Sequence, residues 1–111
     1  MEPRALYDRL DQVTLIDVRD PQEWESGHIE GSINIPLSSL QDRAAEIPQE
    51  RAVITICDVG RVSAAAAAVL RDKGLDARNL WGGVEAWTQD ALPLIRLLSS
   101  GGEMRRARVG C

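Results

Sequence analysis

The chain has 111 residues, 44% hydrophobic and 27% charged, with 13 Lys and Arg against 17 Asp and Glu for a net charge of -4. That length predicts one domain with a modest core, and the acidic balance argues against nucleic acid as the main partner. No apolar run approaches the roughly 20 residues that span a bilayer, and Met1-Glu2-Pro3-Arg4 lacks the apolar core of a signal peptide, so no membrane association and a cytoplasmic location are expected.

In chain order, residues 3–10 read as a short helix, with Pro3 at its first turn and Leu6 and Leu10 on one face. Residues 13–18 (Val-Thr-Leu-Ile-Asp-Val) read as a buried strand that ends in the polar run Arg19-Asp20-Pro21. Residues 21–26 follow as one or two helical turns, capped by Asp20 and released at Gly27. After His28 comes a short strand over 33–35, stopped by Pro36. A helix capped by Ser38 or Ser39 then runs through Ile47 to Pro48. The β-branched run over 52–56 predicts the central strand, and residues 61–73 the main helix. Val62, Ala65, Ala66, Val69 and Leu70 form the apolar stripe of that helix, and Gly74 stops it. Residues 77–80 are a further strand, and Trp81-Gly82-Gly83 turns the chain into a helix over 84–88. This alternation predicts an α/β fold with a parallel sheet and helices on both faces. The domain is expected over residues 1–93, with 94–111 as a partly flexible C-terminal extension. Leu94 to Leu98 is apolar enough to pack, and Ser99-Ser100-Gly101-Gly102 reads as a break. Two readings of the end stand: a disordered or loosely docked tail, or one that contacts a protein partner or supplies Cys111 as a resolving thiol.

Cys57 stands at the junction of the central strand and the main helix. Open α/β sheets place their chemistry beyond the carboxyl ends of strands. The unpaired amides and dipole of the following helix favour an anion there, so a partly ionised thiol is expected. Other cysteine chemistries fit poorly. His28 is the sole histidine and nothing in the sequence brings it to Cys57 as a protease base; there is no Cys-x-x-Cys for thioredoxin-type exchange; two cysteines and one histidine give no metal-ligand spacing, so no metal is expected. What remains is an anion in a ring of backbone amides, either a persulfide on the cysteine or a phosphoryl group beside it.

Four segments carry a resemblance: Leu15-Ile16-Asp17-Val18-Arg19-Asp20-Pro21-Gln22-Glu23-Trp24; Gly27-His28-Ile29-Glu30-Gly31-Ser32-Ile33-Asn34-Ile35-Pro36; Cys57-Asp58-Val59-Gly60-Arg61-Val62-Ser63; and Leu80-Trp81-Gly82-Gly83-Val84-Glu85-Ala86-Trp87. In this order they resemble the single-domain rhodaneses, a sulfurtransferase family. The resemblance implies a rhodanese-like parallel α/β sheet and a nucleophile at Cys57. It also implies a persulfide-binding loop of Asp58, Val59, Gly60, Arg61, Val62 and Ser63, and no cofactor. Its activity would move a sulfane sulfur from a thiosulfate-like, persulfide or protein-bound donor to a thiol, cyanide or protein acceptor. The loop over residues 57–62 has the sulfurtransferase length; related phosphatases and arsenate reductases use one residue more. Val62 stands where the family often has arginine, with Arg61 one place early, and Asp58 puts a carboxylate beside the nucleophile. Both favour a neutral or protein-bound donor. They also leave open a catalytically weak or inactive rhodanese-like module that binds or regulates a partner.

Supporting roles fall to four further residues. Asp17 either bonds loop amides or tunes charge near Cys57, and Arg19 either pairs with an acidic neighbour or reaches substrate. His28 fixes a turn or moves a proton, and Trp81 packs or lines the pocket.

Overall fold

Four short parallel strands carry the fold. The computed structural model describes residues 1–100 and 103–109, with side chains as far as residue 96. β1 (Thr14–Asp17), β2 (Ile33–Asn34), β3 (Val53–Ile56) and β4 (Ala77–Asn79) form one sheet in the order β2-β1-β3-β4, every pair parallel. Parallel neighbours need crossovers, and the helices supply them: α2 (Pro21–Ser26) between β1 and β2, α3 (Leu37–Arg43) between β2 and β3, and α4 (Arg61–Asp72) between β3 and β4. α1 (Pro3–Tyr7) precedes the sheet and α5 (Gly83–Gln89) follows β4.

All four residues of β3 are buried, as a strand covered on both faces must be. On one face Ile16 and Val53 pack with Leu40 of α3 and with Ala66, Ala67 and Leu70 of α4. On the other, Leu15, Ile54 and Ile56 pack with Leu6 of α1 and Trp87 of α5. The predicted α/β sheet with helices on both faces is the one observed. The alanines of α4 let its backbone lie close to the sheet.

The stripe of α4 differs from the expected one. Ser63, Ala66, Ala67 and Leu70 are buried and Val69 is half-buried, while Ala65 is exposed and Val62 is 42% exposed. Polar anchoring sets this rotation: the Thr55 hydroxyl donates to the Ser63 carbonyl at 2.6 Å, turning Ser63 inward. Hydropathy assigned that place to Val62. Element ends also shift by a residue or two. α1 stops at Tyr7 and a 3-10 turn covers Leu10–Gln12. α3 starts at Leu37, so Ser38 and Ser39 lie inside it, and the segment finishes in a 3-10 turn, Ala44–Glu46. At Gly27 the backbone is extended, with φ 173°.

Beyond α5 lies an element absent from the sequence reading. β5 (Leu94–Ser100) and β6 (Glu103–Val109) pair antiparallel, from Leu94 opposite Val109 to Ser100 opposite Glu103. β5 is tied to the body by reciprocal bonds between His28 and Ile95, at 2.7 and 2.8 Å. Gly101, Gly102 and Cys111, with the thiol role considered for it, fall outside the described residues. Among the described residues no helix is long and apolar enough to cross a membrane.

Candidate active site

β1 and β3 are neighbours, and both end at the same sheet edge, with Asp17 opposite Ile56. The residues just beyond them, 18–19 and 57–58, are therefore brought together by topology alone. Cys57 is the first residue past β3. Its side chain is 4% exposed, at the floor of a cavity of about 330 Å³ that is also lined by Val18, Arg19, Asp20, Glu23, Leu37, Asp58, Val59, Arg61 and Val62.

The loop returns two amides to the sulfur. The Gly60 N–H donates to Cys57 Sγ at 3.1 Å and the Ser63 N–H at 3.2 Å. Gly60 is the N-cap of α4, and Ser63 is its third residue. Helix starts leave such amides without intrahelical acceptors, and a side-chain oxygen commonly takes them. Here no side chain of the cap residue does so, and the Cys57 sulfur fills that place. Negative charge on sulfur is stabilised at this position by the amides and by the dipole of a 12-residue helix.

Glycine makes the loop possible at two points. Gly60 has φ +91°, and a Cβ there would lie 2.9 Å from the Gly82 nitrogen. At Gly83 φ is +62°, and a Cβ would lie 2.4 Å from the Cys57 carbonyl oxygen. The start of α5 thus presses on the loop, and it bonds it as well. Val84 N–H donates to the Cys57 carbonyl and Glu85 N–H to the Asp58 carbonyl, both at 2.9 Å. The Asn79 side-chain amide adds a bond to the Gly60 carbonyl at 3.2 Å. A loop held from β4, α4 and α5 keeps its dipoles aimed without reorganising during a reaction.

Asp17 is fully buried and accepts from the Arg19 backbone N–H at 3.0 Å and from its guanidinium at 2.8–3.1 Å. Arg19 also donates to the Gly27 carbonyl at 2.6 Å, and its remaining nitrogen lies 3.8 Å from Asp58. The arginine is thereby fixed as the cavity's inner wall. Asp17 does not line the cavity; it orients the residue that does. Arg61 reaches the cavity wall together with Val62, one place before the usual position. Among the loop residues, Asp58, Val59, Arg61 and Val62 form walls, while Gly60 and Ser63 act through their amides. Among the described residues the buried Ser63 hydroxyl has no hydrogen-bond partner.

Two of the expected supporting residues stand apart from this cavity. His28 stacks on Trp24 at 3.9 Å, and its Nδ1 meets the Trp24 carbonyl at 2.5 Å, which fixes the exit of α2. Trp81 is 61% exposed and lines a separate depression with Met1, Arg71 and Arg78. Sequence reasoning passed over Glu23, which lines the cavity from α2. Its signal was position: Pro21 at N1 fixes Glu23 in the first turn of a helix that starts at the active sheet edge. Burial of its carboxyl, then the charge of Asp58 and a hydrogen bond to it, raise the Glu23 pKa above the usual carboxylate value. Arg19 and the Asp20 amide act the other way. Among the described residues no group of three or more His, Cys, Asp and Glu is placed to hold a metal ion.

A parallel α/β sheet with a cysteine cradled by amides at a strand–helix junction defines a class of domain, and comparison with known proteins identifies which. The chain belongs to the rhodanese-like domain family, whose model matches residues 2–90. It is 41% identical over 97 residues to a probable adenylyltransferase/sulfurtransferase, MoeZ, of Mycobacterium tuberculosis; the match covers 82% of this chain but only 25% of that protein. A sulfurtransferase of Allochromatium vinosum is 35% identical over 99 residues, 86% of this chain and 92% of the relative. The crystal structure of a rhodanese-related protein from Thermoplasma volcanium superposes with a TM-score of 0.82 at 33% identity, covering 85% of this chain and 94% of that one.

Proposed function

We propose that this chain is a sulfurtransferase that carries a sulfane sulfur on Cys57 as a persulfide. The observation that carries the reading is the pair of amides, Gly60 and Ser63, donating to Sγ at the floor of an open cavity. The names of the relatives point to the same chemistry.

In the first half-reaction the Cys57 thiolate attacks the outer sulfur of the donor. An Sγ–S bond forms, the donor's sulfur–sulfur bond breaks, and its electron pair leaves with the donor remnant. In the second, an acceptor (a thiol, cyanide or a protein cysteine) attacks the outer sulfur and returns the Cys57 thiolate. The first half-reaction starts from the Cys57 thiolate and the second returns it, and the loop dipoles face that charge. The cavity volume is at the small end of ligand pockets, suited to an outer sulfur and a short organic chain.

Steady-state transfer from thiosulfate and from a small persulfide to cyanide and to a dithiol, for wild type and Cys57→Ser, tests the reading. Turnover by the wild type and none by the variant are expected. Equal background rates in both would leave the other reading, a rhodanese-like module that binds a protein partner.

A further inference from the structure

The cavity over Cys57 carries an unusual charge for a site that would bind thiosulfate, a dianion. Its walls hold three carboxylates, Asp20, Glu23 and Asp58, and two guanidiniums, Arg19 and Arg61. Arg19 is already paired with the buried Asp17, in contact through both of its carboxylate oxygens. Counting that pair as neutral, three negative charges face one positive charge, that of the exposed Arg61. The remaining walls are apolar: Leu37, Val59 and Val62 expose side chains there. Val62 has no charge with which to offset the acids.

Resting on the sulfur-transfer reading, we propose that Glu23 and Asp58 make this site selective for an organic persulfide that bears an ammonium group, R–S–SH with a cationic R, and set it against anionic donors. Asp58 enters from the loop and Glu23 from α2. The two carboxyl groups lie within hydrogen-bond reach of each other on the cavity wall, and a cation placed against both relieves their repulsion. A short aliphatic chain between ammonium and sulfur lies along Val59 and Val62 while the outer sulfur meets Cys57. The transfer balances without a co-reactant. The Cys57 thiolate bonds to the outer sulfur, which keeps its proton. The donor's S–S bond breaks, R–S⁻ leaves with the bonding pair, and Cys57–S–SH remains. The departing thiolate carries the ammonium, so it leaves the acidic mouth as a neutral zwitterion.

The test uses three donors of matched length, the persulfides of cysteamine (cationic), 2-mercaptoethanol (neutral) and 3-mercaptopropionate (anionic). The rate of Cys57 persulfidation is measured for the wild type and for the double variant Glu23→Gln, Asp58→Asn. For each donor the wild-type rate is divided by the variant rate, which cancels the donor's intrinsic reactivity. The expected ratios fall in the order cation, neutral, anion, with about threefold or more between the ends, the size of one or two screened charge contacts at a few ångströms in water. Added salt slows loading of the wild type by the cation and speeds it by the anion, a readout that needs no variant. Equal ratios for the three donors, a reversed order, or no opposite salt response overturns the selectivity and leaves sulfur transfer standing. Loading by none of the three, nor by thiosulfate, in either protein overturns the sulfur-transfer reading and this inference with it.

Discussion

Asp17 and Arg19 show how one residue can serve the site without touching it. Asp17 was the polar intruder in an apolar strand, and the sequence made it noticeable without revealing its partner. The structure spends its whole acceptor capacity on Arg19, which then forms a wall of the Cys57 cavity. Glu23 was illegible for the opposite reason: an acid on an exposed helical turn looks like any solvated residue, and only the fold brings it beside Asp58. Its raised pKa has a consequence for stability. The folded chain holds the Glu23 proton to a higher pH than the unfolded chain does, so this group's contribution is fully present below the ordinary carboxylate value and is lost as pH rises through the raised one. Gln cannot ionise. Glu23→Gln is therefore expected to melt slightly above wild type at neutral pH, with the gap closing toward zero as pH falls into the carboxylate range. Thermal melts at several pH values check this, and a gap that is constant with pH contradicts it. The site is exposed and solvent-screened, so the effect is small.

At the scale of elements, the site depends on two glycines that hold a helix start against a strand end. Gly83→Ala sets a Cβ 2.4 Å from the Cys57 carbonyl and 2.5 Å from that of Asp58, with φ at +62°. Backbone strain of about 1–3 kcal/mol, and a displaced loop, are the expected result. Gly31→Ala is the control, because φ there is +88° but no atom lies within 4 Å of the added carbon. Both lose stability in urea unfolding, while only Gly83→Ala slows persulfidation of Cys57 several-fold. Equal rates in the two variants contradict a role for the α5 contact. The four strands of the parallel sheet and the five α-helices were legible because β-branched runs, prolines and glycines mark them locally. The stripe of α4 was misplaced by about one residue because a hydroxyl–carbonyl bond from Thr55, not hydropathy, decides which way Ser63 faces. The β5–β6 hairpin had a signal that went unused. Gly101-Gly102 between two runs of strand length is a hairpin-turn pattern, although the basic composition of residues 103–109 pointed away from a strand.

For the whole molecule, the order β2-β1-β3-β4 puts the two central strands side by side, so that residues far apart in sequence end at one edge. The sequence implied a parallel sheet but not this order, since strand order is set by long-range pairing that no local pattern encodes. The C-terminal segment also belongs to this scale. Leu94 and Ile95, the first residues of the apolar run after Pro93, are buried, and Ile95 bonds His28. A chain ending at residue 96 is expected to stay close to wild-type stability. One ending at Pro93 is expected to lose about 3–6 kcal/mol, from two buried aliphatic side chains. Urea unfolding separates the two, and equal stability places the end of the core before residue 94. Under the proposed function, Cys57 takes up sulfur because amides at the head of α4 stabilise charge on it. Peptide mass spectrometry after a single exposure to sulfane-sulfur donors tests that claim most directly. The mass of one added sulfur atom is expected on Cys57, removed when an acceptor thiol is added. An unmodified Cys57 with every donor, or sulfur carried on Cys111 instead, would contradict it.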